Sequence, residues 1–128
     1  MPGCGFCVAA PSRPNSTGNN RRMPTRFIES HDGARLAVYE EGNPDGPTVI
    51  LVHGWPDSHV VWDGVVALLA DSHRIIRYDN RGAGVSAVPG EVAAYAVSTL
   101  ADDFEAVVAA LSPDAPVHAV GHDWGGAT

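Results

Sequence analysis

The run Gly121-His122-Asp123-Trp124-Gly125-Gly126 directly follows the apolar stretch Val117–Val120. A strand that ends in small-x-acid-x-small must turn so tightly that its flanking positions stay small, because a side chain there would collide with the strand or with the segment that follows. Such a turn presents its central side chain clear of the backbone. Here that side chain is the carboxylate of Asp123 and not a hydroxyl. A serine alkoxide attacks carbonyls, whereas a carboxylate is suited to displacement at saturated carbon, leaving an alkyl ester on the protein. The chemistry indicated is the opening of an epoxide or the displacement of a halide.

Two further stretches carry candidate chemistry. His53-Gly54-Trp55-Pro56 follows the largely apolar Thr48–Val52, at the carboxyl end of a strand, where open α/β sheets place their sites. Tyr78-Asp79-Asn80-Arg81-Gly82-Ala83-Gly84-Val85-Ser86 includes a formal dinucleotide fingerprint, Gly82-x-Gly84-x-x-Ala87. That motif needs a helix to begin within it, so that a pyrophosphate meets the helix N-terminus. Pro89 and Gly90 follow instead, and no helical pattern starts before about Val97, so the match is rejected. Cys4-x-x-Cys7 has no second cysteine pair to complete a structural zinc site. Its Pro- and Gly-rich surroundings offer neither the strand nor the helix of a redox motif, and the two cysteines are read as incidental.

The elements that must position these residues are legible from periodicity and turn chemistry. Residues 1–24 are rich in Pro, Gly, Ser, Asn and Arg without a sustained period and are expected to form a disordered leader; Met23 is the expected true start. Arg26–Ser30 and Ala34–Glu40 read as a hairpin around His31-Asp32-Gly33. Thr48–Val52 reads as a strand buried on both faces. A helix is expected from about Ser58 to Ala70 with Val61, Val65, Leu68 and Leu69 on one face, and then a strand at His73–Tyr78. A second helix is expected from near Thr99, capped by Thr99-x-x-Asp102. It would bury Leu100, Phe104, Val107, Val108 and Leu111 and lead to a fifth strand at Val117–Val120. Alternating strands and helices after a hairpin predict an α/β fold, a mostly parallel sheet with helices on both faces.

Composition removes several classes of function. The chain has no lysine, eight arginines and fifteen acids, a formal charge of −7. Nucleic acid and anionic membrane both call for a positive surface. No apolar run approaches the roughly 18 residues of a membrane span, and no signal peptide is visible, so a cytoplasmic protein is expected.

Taken in order, H-G-x-P at His53-Gly54-Trp55-Pro56 and G-x-D-x-G at Gly121–Gly125 resemble the epoxide hydrolase branch of the α/β-hydrolases. The Asp79–Ser86 stretch matches the D-x-R-G-x-G-x-S loop of that superfamily, a mainly structural segment. The resemblance implies that Asp123 is the nucleophile and that the backbone N–H groups of Trp55 and Trp124 form an oxyanion hole. It implies a cis Trp55-Pro56 peptide, and it puts Trp55 and Trp124 against substrate. His53, Gly54, Pro56, Gly121, His122 and Gly125 are expected to be structural at the site. Trp124 also resembles the tryptophan that donates to the leaving halide in haloalkane dehalogenases; its other reading is a bulky wall of which only the backbone is used.

The implied substrate is a small apolar epoxide or haloalkane, with no metal and no cofactor for the hydrolase reaction. The lid, its tyrosines and a His–acid pair are expected beyond Thr128. A complete domain of this kind commonly reaches about 200–250 residues, so residues 25–128 are expected to be the N-terminal half of an α/β-hydrolase domain, truncated after the nucleophile turn. The other readings are a dehalogenase-like hydrolase and a truncated, non-catalytic remnant. Glu41–Pro47, His53–His59, Arg77–Gly82 and Ala101–Phe104 further resemble a mycobacterial epoxide hydrolase type fused to a C-terminal short-chain dehydrogenase/reductase domain. With such a domain the intact protein would also use NAD(P).

Overall fold

The computed structural model describes residues 23–128; residues 1–22, with most of the expected leader and both cysteines, lie outside the described residues. Arg26–Glu29 (β1) and Arg35–Gly42 (β2) pair antiparallel with Phe27 opposite Ala37. Gly33 takes the turn at φ +84°, a region that glycine enters without a steric penalty. Thr48–Val52 (β3), Asp63–Leu69 (α1), Arg74–Tyr78 (β4), Val97–Leu111 (α2) and Val117–Gly121 (β5) follow. The sheet order is β1-β2-β4-β3-β5. β4 and β5 both run parallel to β3 and β2 runs antiparallel to β1 and β4, so β2 alone opposes the common direction.

Alternate residues of β3 serve opposite faces, as the strand period of two requires. Val49 and Leu51, with Ile75 of β4, pack under Val66 of α1, joined by Val65 and Leu69. Ile50 and Val52, with Ile76 and Tyr78, pack under Val107 and Leu111 of α2, flanked by Phe104 and Val108. The two helices therefore cover opposite faces. Burying each such aliphatic side chain contributes about 1.5–3 kcal/mol, and β3, buried throughout, is the spine of both cores. The chain leaves β3 toward β4 on one side and reaches β5 on the other. That reversal opens a crevice beyond the carboxyl ends of the strands, the place where ligands meet such sheets.

Two local expectations are corrected. The segment expected as one helix from Ser58 to Ala70 begins as a 3-10 turn, His59–Trp62, and becomes α-helical only at Asp63. Of the expected face, Val65 and Leu69 pack inward beside the buried Val66, whereas Val61 and Leu68 are 44% and 83% exposed; the change of helical pitch turns the apolar face partly away from the one that a continuous period implies. Thr99 does not cap α2. The N-cap is Ala96, without a side-chain bond, because a 3-10 turn at Val92–Tyr95 delivers the chain three residues earlier. No helix among the described residues is long and apolar enough to cross a membrane.

Candidate active site

The site is built where β3 and β5 end side by side. The His122 N–H donates to Val52 O at 3.1 Å, extending the pairing one residue past β5. The chain then folds into a 3-10 turn, Asp123–Gly126, with Asp123 at φ +55°. A non-glycine residue there costs about 1–3 kcal/mol, which persists only where the surroundings over-determine it. They do so here. A Cβ at Gly121 would lie 2.1 Å from Gly125 O, and one at Gly125 would lie 2.2 Å from Val52 O. The small residues on either side of Asp123 are therefore required by contact. Gly126 has no such constraint, its nearest neighbour being 3.8 Å away.

Asp123 is exposed, and its carboxylate faces the loop after β3. The Trp55 N–H donates to Asp123 Oδ2 at 3.0 Å. Hydrogen bonding from the backbone N–H groups of Trp124 and Trp55 holds the Asp123 carboxyl below its ordinary range, so it stands as an anion. Trp55-Pro56 is cis. Gly54 is packed so closely that a Cβ would lie 2.4 Å from both Cβ and Oδ2 of Asp123. The structure thus brings Asp123, Gly54, Trp55 and Trp124 together. Pro56 and the His122 ring are exposed at the margin of this group.

His53 is buried and faces away from Asp123's surface. Its ring Nδ1 lies 2.8 Å from Gly54 O, and its Nε2 accepts the Asn80 N–H at 3.0 Å. Those partners assign the neutral tautomer with the proton on Nδ1. Burial, the largest influence, pushes its pKa down, which agrees with an uncharged ring. Asn80 Nδ2 returns a 2.7 Å bond to His53 O.

Behind the loops lies a set of buried polar residues, in which Asp79 and Arg81 of the D-x-R-G stretch meet partners that no motif had marked. Asp79 Oδ1 accepts the His59 N–H at 2.9 Å and lies 2.8 Å from His59 Nδ1, while Oδ2 accepts from Tyr39 Oη at 3.1 Å. Burial, the largest influence, pushes the Asp79 carboxyl up, but the hydrogen bonds from the His59 backbone and ring and from the Val85 N–H together outweigh it and hold the group below the ordinary carboxylate range. The His59 ring stacks on Tyr39 at 3.6 Å between centroids. Arg81 lies across Asp103, with bonds of 2.7 and 2.6 Å, and reaches Asp32 at 2.7 Å. The D-x-R-G stretch signalled a structural loop, but partners 20 to 49 residues distant leave no local pattern. The loops after β3 and β4, with Trp124, wall a cleft of about 960 Å³.

A family model for the alpha/beta hydrolase fold matches residues 47–128. The Mycobacterium tuberculosis protein named probable oxidoreductase EphD is 63% identical over 101 residues, covering 79% of this chain and 17% of its own length. Epoxide hydrolase A of the same organism is 36% identical over 103 residues, covering 80% of this chain and 32% of its own length. Among solved structures, epoxide hydrolase VrEH1 from Vigna radiata superposes with a TM-score of 0.71 at 31% identity, over 78% of this chain and 32% of that one. The chain therefore spans less than two thirds of the length of each of these proteins.

Proposed function

Because the chain belongs to the α/β-hydrolase fold family, we propose that it carries the nucleophile and oxyanion hole of a hydrolase that converts epoxides to diols through an ester on Asp123. The observation that supports this most is the exposed, ionised Asp123 held on a strained turn against the Trp55 N–H. With Oδ2 bound to that donor, Oδ1 is the oxygen assigned to attack. Attack forms an O–C bond to an epoxide carbon and breaks the ring C–O bond. The released alkoxide takes a proton and becomes the hydroxyl of a 2-hydroxyalkyl ester. Water then adds to Asp123 Cγ, the Cγ–O bond to substrate breaks, and the diol leaves.

The tetrahedral intermediate of that second step places negative charge on Oδ2. The Trp55 N–H already donates to that atom and the Trp124 N–H binds the same carboxyl, so stabilising the oxyanion requires little rearrangement. The base for water is the His–acid pair that the resemblance assigns to the C-terminal part of the domain, and the proton donors are its lid tyrosines. The walls of the cleft suit an apolar epoxide, and the hydrolase step uses no metal or cofactor. NAD(P) belongs to this reading only through a separate dehydrogenase domain in the whole protein, and the place of action is the cytoplasm.

A haloalkane reading is favoured by one observation: Trp124, half exposed, lines the cleft, where its indole N–H suits a departing halide. Replacing it separates the readings. Trp124→Phe should leave epoxide turnover nearly unchanged and sharply reduce haloalkane turnover. The test of the main reading is acid quench of the whole enzyme with an aryl epoxide, followed by peptide mass spectrometry. The peptide containing Asp123 should gain the mass of the epoxide; no adduct in an enzyme that makes diol would refute the proposal.

A further inference from the structure

The loop that carries the Trp55 N–H has an unusual physical problem. Trp55 is 79% exposed, and its neighbours Pro56 and Asp57 are exposed as well. Burial therefore does not fix the loop, although a donor must be placed to within a fraction of an ångström to serve an oxyanion. Within the loop, the Asp57 N–H closes a turn on Gly54 O at 3.0 Å, which shapes the loop but does not tie it to the sheet. Its position relative to Asp123 must come from its two ends.

Both ends are clamped by consecutive residues at the end of β4. At the entry, Asn80 binds His53 twice, its N–H to ring Nε2 at 3.0 Å and its Nδ2 to His53 O at 2.7 Å. At the exit, Asp79 Oδ1 holds the His59 N–H at 2.9 Å and ring Nδ1 at 2.8 Å. Asp79 is fully buried. Tyr39 braces this pair from β2, stacking on the His59 ring while its hydroxyl binds the same carboxylate. Gly84, at φ +51°, lets the following loop close over the carboxylate; a Cβ there would lie 2.0 Å from Asp79 Oδ2. Adjacent Cα atoms are about 3.8 Å apart, so the two clamps fix the span of the loop against one rigid point of the sheet.

We infer that Asp79 and Asn80 are positioning residues that aim the Trp55 N–H at Asp123 by holding both ends of the His53–His59 loop. This rests on the reading of Asp123 as nucleophile. Asp79 has no exposed surface and meets no substrate; Asn80 borders the cleft, but its backbone N–H and Nδ2 are both engaged by His53. It acts most on the step in which charge develops on Oδ2, the hydrolysis of the ester, and least on its formation.

The test is rapid-quench kinetics on the whole enzyme, following both formation and decay of the Asp123 ester by mass. In the double variant Asn80→Ala/His59→Gln, ester decay should slow by about tenfold or more while its formation changes by less than about threefold, since weakening one oxyanion donor acts on the step that generates the anion. Ester should then accumulate, and kcat should fall with KM falling alongside it. Asp79→Asn should do the same where it folds; the double variant carries the test if it does not. Arg74→Met removes a partly buried pair with Glu40 at the opposite end of β4. It should lower Tm without accumulating ester. If formation and decay fall together in the double variant, or neither changes, the inference is overturned. If the parent enzyme makes diol with no Asp123 ester at all, the nucleophile reading fails, and this inference fails with it.

Discussion

Two aspartates end two strands of the same sheet, with only β3 between those strands, and their circumstances are opposite. Asp79, after β4, has no exposed surface and receives donors from His59, Tyr39 and Val85. Asp123, after β5, is exposed on a left-handed turn and faces the N–H of Trp55. Hydrogen bonds hold both carboxyls below their ordinary range. Ionisation therefore does not distinguish a brace from a reagent. Access does: Asp79 has no exposed surface and both its oxygens accept buried donors, whereas Asp123 is exposed.

The comparison predicts opposite costs for the same substitution. Asp123→Asn should lower kcat by at least about a thousandfold, the scale of losing a nucleophile, with Tm almost unchanged because the group is exposed. Asp79→Asn should destabilise by about 2–4 kcal/mol, since several buried donors lose their acceptor. Chemical denaturation beside steady-state kinetics on both variants checks this. Equal stability losses would erase the distinction.

A second contrast uses glycines. Gly54→Ala places a methyl 2.4 Å from Asp123 Oδ2, and a displacement near 1 Å at a reacting group costs about a hundredfold in rate. Gly64→Ala, in α1 with nothing within 4 Å of the added carbon, should leave the rate alone and stabilise by about 0.5–1 kcal/mol.

The smallest effect concerns acid. Asp32 is held at about 2 chiefly by its hydrogen bond to Arg81, against 3.8 for the free group. A depressed folded-state pKa stabilises fully above the unfolded value and is lost as pH falls toward the folded one. The denaturation midpoint of Asp32→Asn should lie below that of the parent protein by a constant gap above about pH 5 and close as pH falls from 4 toward 2. The gap is small because the Asp32 side chain is 47% exposed.

Legibility followed locality. β3 was readable because four of its five residues are apolar and it is bounded by turn signals, and the Asp123 turn because its steric demands fall on adjacent positions. The rim of α2 was less so: Thr99 has the right chemistry for a cap, but the 3-10 turn before it hands that place to Ala96. The face of α1 was half legible: Val65 and Leu69 pack as expected, but Val66 joins them and Val61 and Leu68 do not. Arg77 gave no signal at all. It interrupts an apolar strand, yet it is fully buried, held by Asp63 at 2.6 Å and by His59 O at 2.8 Å. Partners that meet only in the folded sheet, such as Asp79 with His59, have no spacing to read.

The central claim is that substrate is attacked by Asp123 and not by water. During attack one Asp123 oxygen becomes the ester oxygen, and solvent oxygen then enters at Cγ. A single turnover of the whole enzyme in isotopically heavy water should therefore release unlabelled diol and leave the label in the peptide containing Asp123. Label in the diol of that first turnover, with none on the peptide, would contradict the account and make Asp123 a base that activates water.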